Sequence, residues 1–371
     1  MKLLYFLTHI TNSGGMEHIV IDKINYLSDK GYDVSLAYFG SSNDKPFFEL
    51  ASSVHKIAIK NCNDTTSICG KIRNILYLVP ELKKIIRQVN PDVIVNANAT
   101  TISWILPFLF RSIPKIVELH FSYDGLILMN KELYGRNIIK AFINNNIRRV
   151  FYPLYTRCVL LTDIDAEKWK FSNSYVIPNF TNMPISKCSQ LNNKRVICVG
   201  RLDYVKNIDI LIRSWSFIVK KHPNWCLDIW GDGSLKSNLQ LLVNDLKLGD
   251  RVILKGLSSS LQDVYPNYSI FVLPSRYEGF PLVLVEAMQY GLPCVGFDIS
   301  GNRAIIKDGK NGIIVNDRTP QDLASALSSL IESPSRLKNM SDCAKMSIER
   351  YKKENVMKLW MNLFDELLTN K

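Results

Sequence analysis

The sequence has few of the residues and spacings that mark metal, disulfide or redox proteins. Its 371 residues include five histidines and eight cysteines, and no two cysteines form a C-x-x-C pair or another metal-ligand spacing. Cys198 and Cys294 lie inside short apolar runs, where reduced, packed thiols are expected. The string Asp163-Ile164-Asp165 indicates a helix start with Asp163 as its N-cap. We therefore expect neither a disulfide framework nor a metal site, and we expect a cytoplasmic protein.

Long hydrophobic runs are also missing. No apolar stretch approaches the roughly 18 residues that a membrane-spanning helix needs, and the longest candidate, 102–110, is interrupted by Pro107. The first residues look like a signal peptide, but their apolar core is short and ends at Thr8-His9. We expect a β-strand there and no membrane span.

The chain is longer than a usual single domain, so two domains are expected. Short apolar strands alternate with helices over 1–180, and the alternation restarts over 194–350 after a polar linker at 181–193. Such alternation implies right-handed crossovers and parallel sheets. The prediction is an α/β protein with two doubly wound, Rossmann-like domains. A C-terminal helix within 351–371 could pack back on the N-terminal domain.

Charge is uneven, with a formal net charge of +12. Basic residues are densest from His120 to Arg157, where aromatic residues are interleaved: Lys131, Arg136, Lys140, Arg148, Arg149 and Arg157, with Phe142, Phe151, Tyr152 and Tyr155. No nucleic-acid-binding motif accompanies them. We predict peripheral contact with an anionic membrane through 131–157. A solvated helix face with a basic bias is the alternative.

Two carboxylates follow a predicted strand in the second half. The run Ser269–Leu273 is short, apolar and β-favouring, and Pro281 stands where a helix would begin. Glu278 then lies in the loop and Glu286 about two turns into the helix. A helix start offers free N–H groups to an anion, and carboxylates about 12 Å apart suit hydroxyls on either side of a diphosphate. Two unrelated surface acids would give the same spacing.

A second motif lies at 200–206. Arg201 follows a predicted strand and Lys206 precedes a predicted helix. A guanidinium and an ammonium beside helix N–H groups can clamp a diphosphate and stabilise the charge that grows as it departs. Basic residues flank many helix starts, so this motif gains weight only when paired with the two carboxylates.

Together these motifs resemble those of the retaining glycosyltransferases of family 4, also called glycosyl transferases group 1. The segment EGFPLVLVEAM at 278–288 is similar to the E-x7-E element, and GRLDYVK at 200–206 is similar to the G-R-x4-K element. The resemblance implies a GT-B architecture, with two Rossmann-like domains facing a central cleft. It also implies transfer of a hexose from a nucleotide diphosphate sugar, with UDP the expected nucleotide and no metal or other cofactor.

The resemblance also implies roles for single residues. Arg201 and Lys206 would contact the donor phosphates, Glu286 the ribose and Glu278 the transferred sugar. Backbone N–H groups near Gly279, Phe280 and Leu282 would assist. The family's base-binding positions correspond loosely to 231–233 and 255–257.

In the first domain the resemblance points to a glycine loop and a histidine. Gly14 and Gly15 would let the backbone approach the donor, and His120 would lie near the departing bond. A lone histidine at a strand end would otherwise be structural. Glu17 could touch the acceptor or simply favour the helix start.

The chain departs from the family pattern at two places. Gly301-Asn302-Arg303-Ala304 stands where Gly-Pro-x-Glu is common, and Asn179-Phe180 stands where Asn-Gly is common. The first change removes an acid and puts the local geometry and the donor preference in question.

The resulting prediction is a retaining, metal-independent hexosyltransferase with a UDP-sugar donor. Its acceptor would be a hydroxyl of a glycan or lipid-linked oligosaccharide in surface polysaccharide synthesis (O-antigen, capsule or exopolysaccharide). The enzyme would act in the cytoplasm or at the inner face of the plasma membrane. Two alternatives stay open: a nucleotide-sugar epimerase of the same architecture and a non-catalytic nucleotide-sugar-binding protein.

Overall fold

The computed structural model describes residues 1–12, 14–60, 68–97, 100–132, 138–185 and 187–369. They divide into two compact units. The first contains 1–123, 129–178 and 356–371, and the second contains 124–128 and 179–355. The predicted linker 181–193 thus falls in the second unit, and most of the C-terminal helix falls in the first.

The first half of the chain alternates strands with helices, as its apolar runs predict. Its elements are β1 Lys2–Leu7, α1 Gly15–Asp29, β2 Asp33–Phe39, β3 His55–Ile59, α2 Ile68–Val89, β4 Val93–Asn96, α3 Ile102–Ile105, β5 Lys115–Leu119, α4 Tyr123–Glu132, α5 Ile138–Phe151, β6 Arg157–Leu160, α6 Asp163–Trp169 and β7 Ser174–Val176. The described strands form a parallel sheet in the order β3-β2-β1-β4-β5-β6-β7. The order reverses between β1 and β4, and in such sheets ligands bind beyond the carboxyl ends at that point.

The second half repeats this plan. Its elements are β8 Arg195–Val199, α7 Ile208–Lys221, β9 Cys226–Trp230, α8 Lys236–Asp245, β10 Val252–Gly256, α9 Leu261–Val264, β11 Ile270–Leu273, α10 Leu282–Gln289, β12 Cys294–Phe297, α11 Ser300–Ile305, β13 Gly312–Val315, α12 Pro320–Ile331, α13 Pro334–Ser347 and α14 Lys353–Thr369. The described strands form a parallel sheet in the order β10-β9-β8-β11-β12-β13. Trp215, Leu227 and Leu323 are fully buried in the core around this sheet. The order reverses between β8 and β11, the two strands that precede the predicted motifs.

The C-terminal helix expected within 351–371 is α14, which a 3-10 turn at Glu349–Tyr351 and an extended Lys352 separate from α13. Two local predictions were wrong. Asp163 is not the N-cap of α6: the Thr162 side chain caps it by accepting a hydrogen bond from the backbone N–H of Asp165. Pro281 is the residue before α10 and not its first residue.

Within the described residues, no helix combines the length and the apolar character that crossing a membrane requires.

Candidate active site

A hydrogen bond between two of its own residues fixes the conformation of the loop after β8. The Asp203 side chain accepts a hydrogen bond from the backbone N–H of Lys206 at 3.2 Å and so starts the short 3-10 turn Tyr204–Lys206. Arg201 points away from the core, with 81% of its side chain exposed, and its Nε lies 3.5 Å from Oδ2 of Asp203. The guanidinium is therefore available to an anion from solvent.

Direct contacts join this loop to the one after β11. The backbone N–H of Arg276 donates to the carbonyl of Val205 at 2.8 Å, and the Arg276 guanidinium lies 4.1 Å from the ring centroid of Tyr204. The buried Asn207 side chain donates to the carbonyl of Pro274 at 3.1 Å, from a left-handed backbone with a φ of 55°. Two motifs about 70 positions apart in the sequence thus form one structural element.

An ion pair links the charged residues of the two motifs. Lys206 Nζ lies 2.5 Å from Oε1 of Glu278, and each side chain is only 15% exposed. Ser275 Oγ donates to the same carboxylate oxygen at 2.8 Å. Glu278 is therefore held in place, while an ammonium with three N–H donors retains capacity for a further anion.

Glu286 has a different environment. Its side chain is partly buried in α10, and the hydroxyl of the fully buried Tyr265 donates to its Oε2 at 3.1 Å. Burial raises the pKa of Glu286 to about 7, although the hydrogen bond from Tyr265 lowers it. Near neutral pH this carboxyl can therefore exist in either protonation state.

The loosely assigned base-binding positions lie together at the carboxyl edge of the same sheet. The backbone N–H of Gly231 donates to the carbonyl of Gly256 at 2.8 Å. Gly231 has a φ of 140°, and a Cβ there would lie 1.9 Å from the carbonyl oxygen of Gly200. Only glycine fits so close an approach between these loops.

The segment that departs from the family pattern is well packed. Gly301 starts it close to the Glu278 loop, since a Cβ there would lie 2.8 Å from the Glu278 carbonyl oxygen. The buried Asn302 side chain donates to the carbonyl of Phe297 at 3.0 Å, and Arg303 Nη2 donates to Asp298 at 2.7 Å. An amide and an ion pair therefore hold a segment in which the family commonly has an acid.

In the first unit, the predicted glycine loop leads into α1. Gly14 is the residue before this helix, and a Cβ on it would lie 2.1 Å from Oε2 of Glu17. Glu17 is buried and accepts a hydrogen bond from Asn12 at 3.3 Å. A Cβ on Gly15 would meet open space. A Cβ at position 14 would displace only the end of the flexible Glu17 side chain, so crowding imposes a glycine at neither position.

His120 follows β5 at the carboxyl edge of the first sheet. Its side chain is 7% exposed, and its Nε2 lies 3.2 Å from Oε2 of Glu118. Burial raises the pKa of Glu118, but the nearby Lys23 and His120 outweigh burial and lower it below its ordinary value. The imidazole therefore contacts an ionised carboxylate.

In the described ranges, no group of three or more His, Cys, Asp or Glu side chains is arranged to hold a metal ion. Metal independence stays a prediction.

Comparison with known proteins gives the family. Residues 13–182 match the profile of Glycosyltransferase Family 4, and residues 182–347 match that of Glycosyl transferases group 1. An uncharacterized glycosyltransferase of Haemophilus influenzae is 30% identical, covering 98% of this chain and 99% of its own length. The chain belongs to this glycosyltransferase family.

Two further matches agree. The amylovoran biosynthesis glycosyltransferase AmsD of Erwinia amylovora is 26% identical over 98% of this chain and 99% of its own length. The structure of S. aureus TarM with fondaparinux, α-GlcNAc-glycerol and UDP has a TM-score of 0.75 at 18% identity, covering 98% of this chain and 99% of that one. The predicted α/β, GT-B fold of this glycosyltransferase is thus confirmed.

The structure brings some predicted site residues of this glycosyltransferase into contact and leaves others apart. Lys206 and Glu278 form an ion pair, whereas Glu286 has its own partner in Tyr265. The backbone positions Gly279, Phe280 and Leu282 lie around the start of α10. The Phe280 ring is buried against Tyr351, with centroids 5.3 Å apart, so only its backbone could serve a ligand.

Sequence reasoning missed two supporting residues of this site, Arg276 and Tyr265. Arg276 stands two positions before Glu278 of the E-x7-E element, so its position could have indicated a role. Tyr265 lies in an ordinary apolar segment and gave no signal.

Proposed function

We propose that this glycosyltransferase is a retaining enzyme that transfers a hexose from a UDP-sugar to a hydroxyl of a glycan. The observation that carries the proposal is the joining of the G-R-x4-K and E-x7-E loops through Lys206 and Glu278, at 2.5 Å. This places a cation for a diphosphate next to a carboxylate for sugar hydroxyls, at the topological switch point where α/β sheets bind ligands. The solved TarM complex contains UDP, which supports UDP as the nucleotide.

In the proposed reaction the bond between the anomeric carbon and the diphosphate oxygen breaks. The acceptor hydroxyl oxygen forms the new bond on the same face, and its proton passes to the departing phosphate oxygen. The exposed Arg201 and one of the two N–H donors on Lys206 that do not face Glu278 would bond that phosphate and offset its growing charge. Glu278 would orient the sugar and Glu286 the ribose. No metal is needed for these steps.

The two carboxylates do not form a glycosidase pair. Hydrolysis requires both carboxyls beside one scissile bond, whereas Glu278 contacts Lys206 and Glu286 contacts Tyr265 on a different element. Charge stabilisation and positioning therefore account for the site better than paired acid–base chemistry.

The process that this activity serves is proposed from its relatives. One is named for amylovoran biosynthesis, and others are a poly(glycerol-phosphate) α-glucosyltransferase and a poly(ribitol-phosphate) α-N-acetylglucosaminyltransferase. We propose that the acceptor is a growing surface polysaccharide, presented on a lipid at the cytoplasmic face of the membrane.

The α5 helix supports membrane contact through an exposed apolar face, whereas the prediction from the sequence is based on basic and aromatic residues. Arg148 and Arg149 donate to neighbouring asparagines, and Arg157 pairs with Glu366 at 2.5 Å. Arg136 lies outside the described residues. The outward face of α5 is apolar and consists of Ile139, Phe142, Ile143, Ile147 and Val150, exposed by 42–73%. An apolar helix face on a chain with excess positive charge fits an anionic lipid surface.

The membrane proposal can be tested by co-sedimentation with phosphatidylglycerol vesicles, using phosphatidylcholine vesicles for comparison. We expect Ile143→Glu to weaken binding at least tenfold. The matched control is Leu241→Glu on α8. Leu241 is 60% exposed, and this substitution should leave vesicle binding unchanged. Equal binding by both variants would contradict a role for α5.

The reaction itself can be tested with a panel of labelled UDP-sugars. Transfer to a glycan acceptor, or slow donor hydrolysis, with retained anomeric configuration supports the proposal. Inverted product would contradict retention. Epimerised donor would favour the epimerase, and binding without any turnover would favour a non-catalytic protein.

A further inference from the structure

A buried ion pair lies directly behind His120. Lys23 of α1 and Glu118 of β5 are 1% and 6% exposed, and Lys23 Nζ lies 2.5 Å from Oε2 of Glu118. Desolvation makes such a pair costly, and an apolar replacement is often equally stable. Stability alone is therefore a weak explanation for these charges.

Aromatic rings surround the lysine. Its Nζ lies 3.8 Å from the ring centroid of Trp360 in α14 and 5.6 Å from that of Tyr5 in β1. A cation over an indole face is stabilised without a second carboxylate. Lys23 thus remains fixed on Glu118, and α14, the last helix of the chain, completes its environment.

The same carboxylate oxygen contacts the imidazole. Oε2 of Glu118 lies 3.2 Å from Nε2 of His120. Both ring nitrogens of His120 are buried, and neither completes a hydrogen bond of good geometry with the described residues. Nε2 nevertheless lies beside a carboxylate oxygen, whereas no described residue supplies a partner for Nδ1.

We propose that Glu118, paired with Lys23, is a positioning residue that fixes His120 as the Nε2–H tautomer. A carboxylate can only accept, so the ring proton lies on Nε2. A bare lone pair on Nε2 would be repelled by the facing carboxylate oxygen, which favours the proton on that nitrogen. A ring held in this tautomer would keep His120 in one orientation at the carboxyl edge of the sheet, where the substrate is proposed to bind. This last step rests on the proposed function, whereas the tautomer does not.

The tautomer can be measured without any substrate. Selective ¹⁵N-histidine labelling and long-range ¹H–¹⁵N spectra report which ring nitrogen carries the proton, and His120→Gln identifies the His120 signals among five histidines. We expect the Nε2–H form in the wild type. Glu118→Gln and Lys23→Met should both shift the population toward the Nδ1–H form.

A matched control comes from a second buried lysine, which lies on β5, the strand that carries Glu118. Lys115 is 3% exposed, and its Nζ donates to the carbonyls of Phe110 and Ile113, both at 2.8 Å. Lys115→Met removes an equally buried charge but should leave the His120 tautomer unchanged. If Lys115→Met altered the tautomer as much as Lys23→Met, a general loss of packing would explain the effect and the proposal would fail.

Kinetics separate this proposal from the proposed function. With UDP release from UDP-glucose or UDP-N-acetylglucosamine as the readout, Glu118→Gln should lower kcat at least tenfold and change KM less than threefold. Glu118→Asp should restore part of the rate. Suppose that His120→Gln loses activity but Glu118→Gln keeps both the wild-type tautomer and the wild-type rate. That result would refute only the positioning role of Glu118. Full activity in His120→Gln would refute the assignment of His120 to the active site.

Discussion

Replacing Glu286 by glutamine should stabilise the second unit at alkaline pH while weakening donor binding. Burial raises the pKa of this carboxyl to about 7, against about 4.3 for an unperturbed glutamate. The folded state therefore holds a proton that the unfolded state has released. Between those two values the free energy of unfolding falls as the pH rises, and above pH 7 the cost is fully present.

The size of the effect follows from the shift. Each pKa unit corresponds to about 1.4 kcal/mol, so ionised Glu286 costs the fold roughly 4 kcal/mol above pH 7. Glutamine has the same shape, cannot ionise and can still accept the hydrogen bond from Tyr265. A gain of roughly 4 kcal/mol would raise the melting temperature by several degrees in a unit of this size.

The assay is thermal denaturation of wild type and Glu286→Gln at pH 5 and pH 8.5, with Glu354→Gln, an exposed glutamate of α14, as the control. The gain should be clear at pH 8.5 and much smaller at pH 5. Tyr265→Phe should act in the opposite direction, because it removes the hydrogen bond that favours the ionised carboxylate. Identical melting of Glu286→Gln and wild type at pH 8.5 would refute the assigned environment of Glu286.

The same variant tests the ribose contact. An ionised carboxylate accepts two hydroxyl hydrogen bonds better than an amide does, so the wild type should bind UDP-glucose several-fold more tightly than Glu286→Gln at pH 8.5. The difference should shrink toward pH 5. If this difference in UDP-glucose affinity did not vary with pH, the ionisation of Glu286 would not govern donor binding.

Three further predictions concern the loops of the second unit. Glu278→Ala should reduce turnover about 100-fold or more in a UDP-release assay, whereas unchanged turnover would remove Glu278 from the site. Gly231→Ala should destabilise the protein by about 2 kcal/mol or more in chemical denaturation. The φ of Gly231 is 140°, and a Cβ there would lie 1.9 Å from the carbonyl oxygen of Gly200. Gly249→Ala, with open space around it, is the control, and equal effects would contradict the crowding argument. Arg276→Ala should weaken UDP binding about three- to tenfold by calorimetry, since it loosens the contact between the motif loops; an unchanged affinity would show that the contact does not shape the site.

Much of the fold could be predicted because parallel strands buried on both faces leave plain apolar runs. The runs before Gly200 and Pro274 gave β8 and β11 to within a residue. The helix α2 was missed because Pro80 stands inside it, where proline usually argues against a helix.

The candidate site, like the fold, could be predicted only in part from the sequence. Arg201, Lys206, Glu278 and Glu286 could be singled out as candidates because their chemistry is concentrated in two short motifs. Their partners depend on tertiary structure: Lys206 and Glu278 are 72 positions apart, and Lys23 and Glu118 are 95 apart. No local sequence pattern indicates either of these pairings. A single sequence could therefore indicate the charged residues but not which of them pair.

The most direct test of the account is calorimetric titration of the purified protein with UDP and with GDP, without added metal. We predict UDP binding at micromolar strength. Arg201→Ala should weaken it about 10- to 100-fold, through loss of charge-assisted hydrogen bonds to phosphate, and the exposed Arg336→Ala should leave it unchanged. A preference for GDP would correct the nucleotide but keep the site. Absence of binding to either nucleotide, or unaltered UDP affinity in Arg201→Ala, would contradict the assignment of the donor site to the loops after β8 and β11.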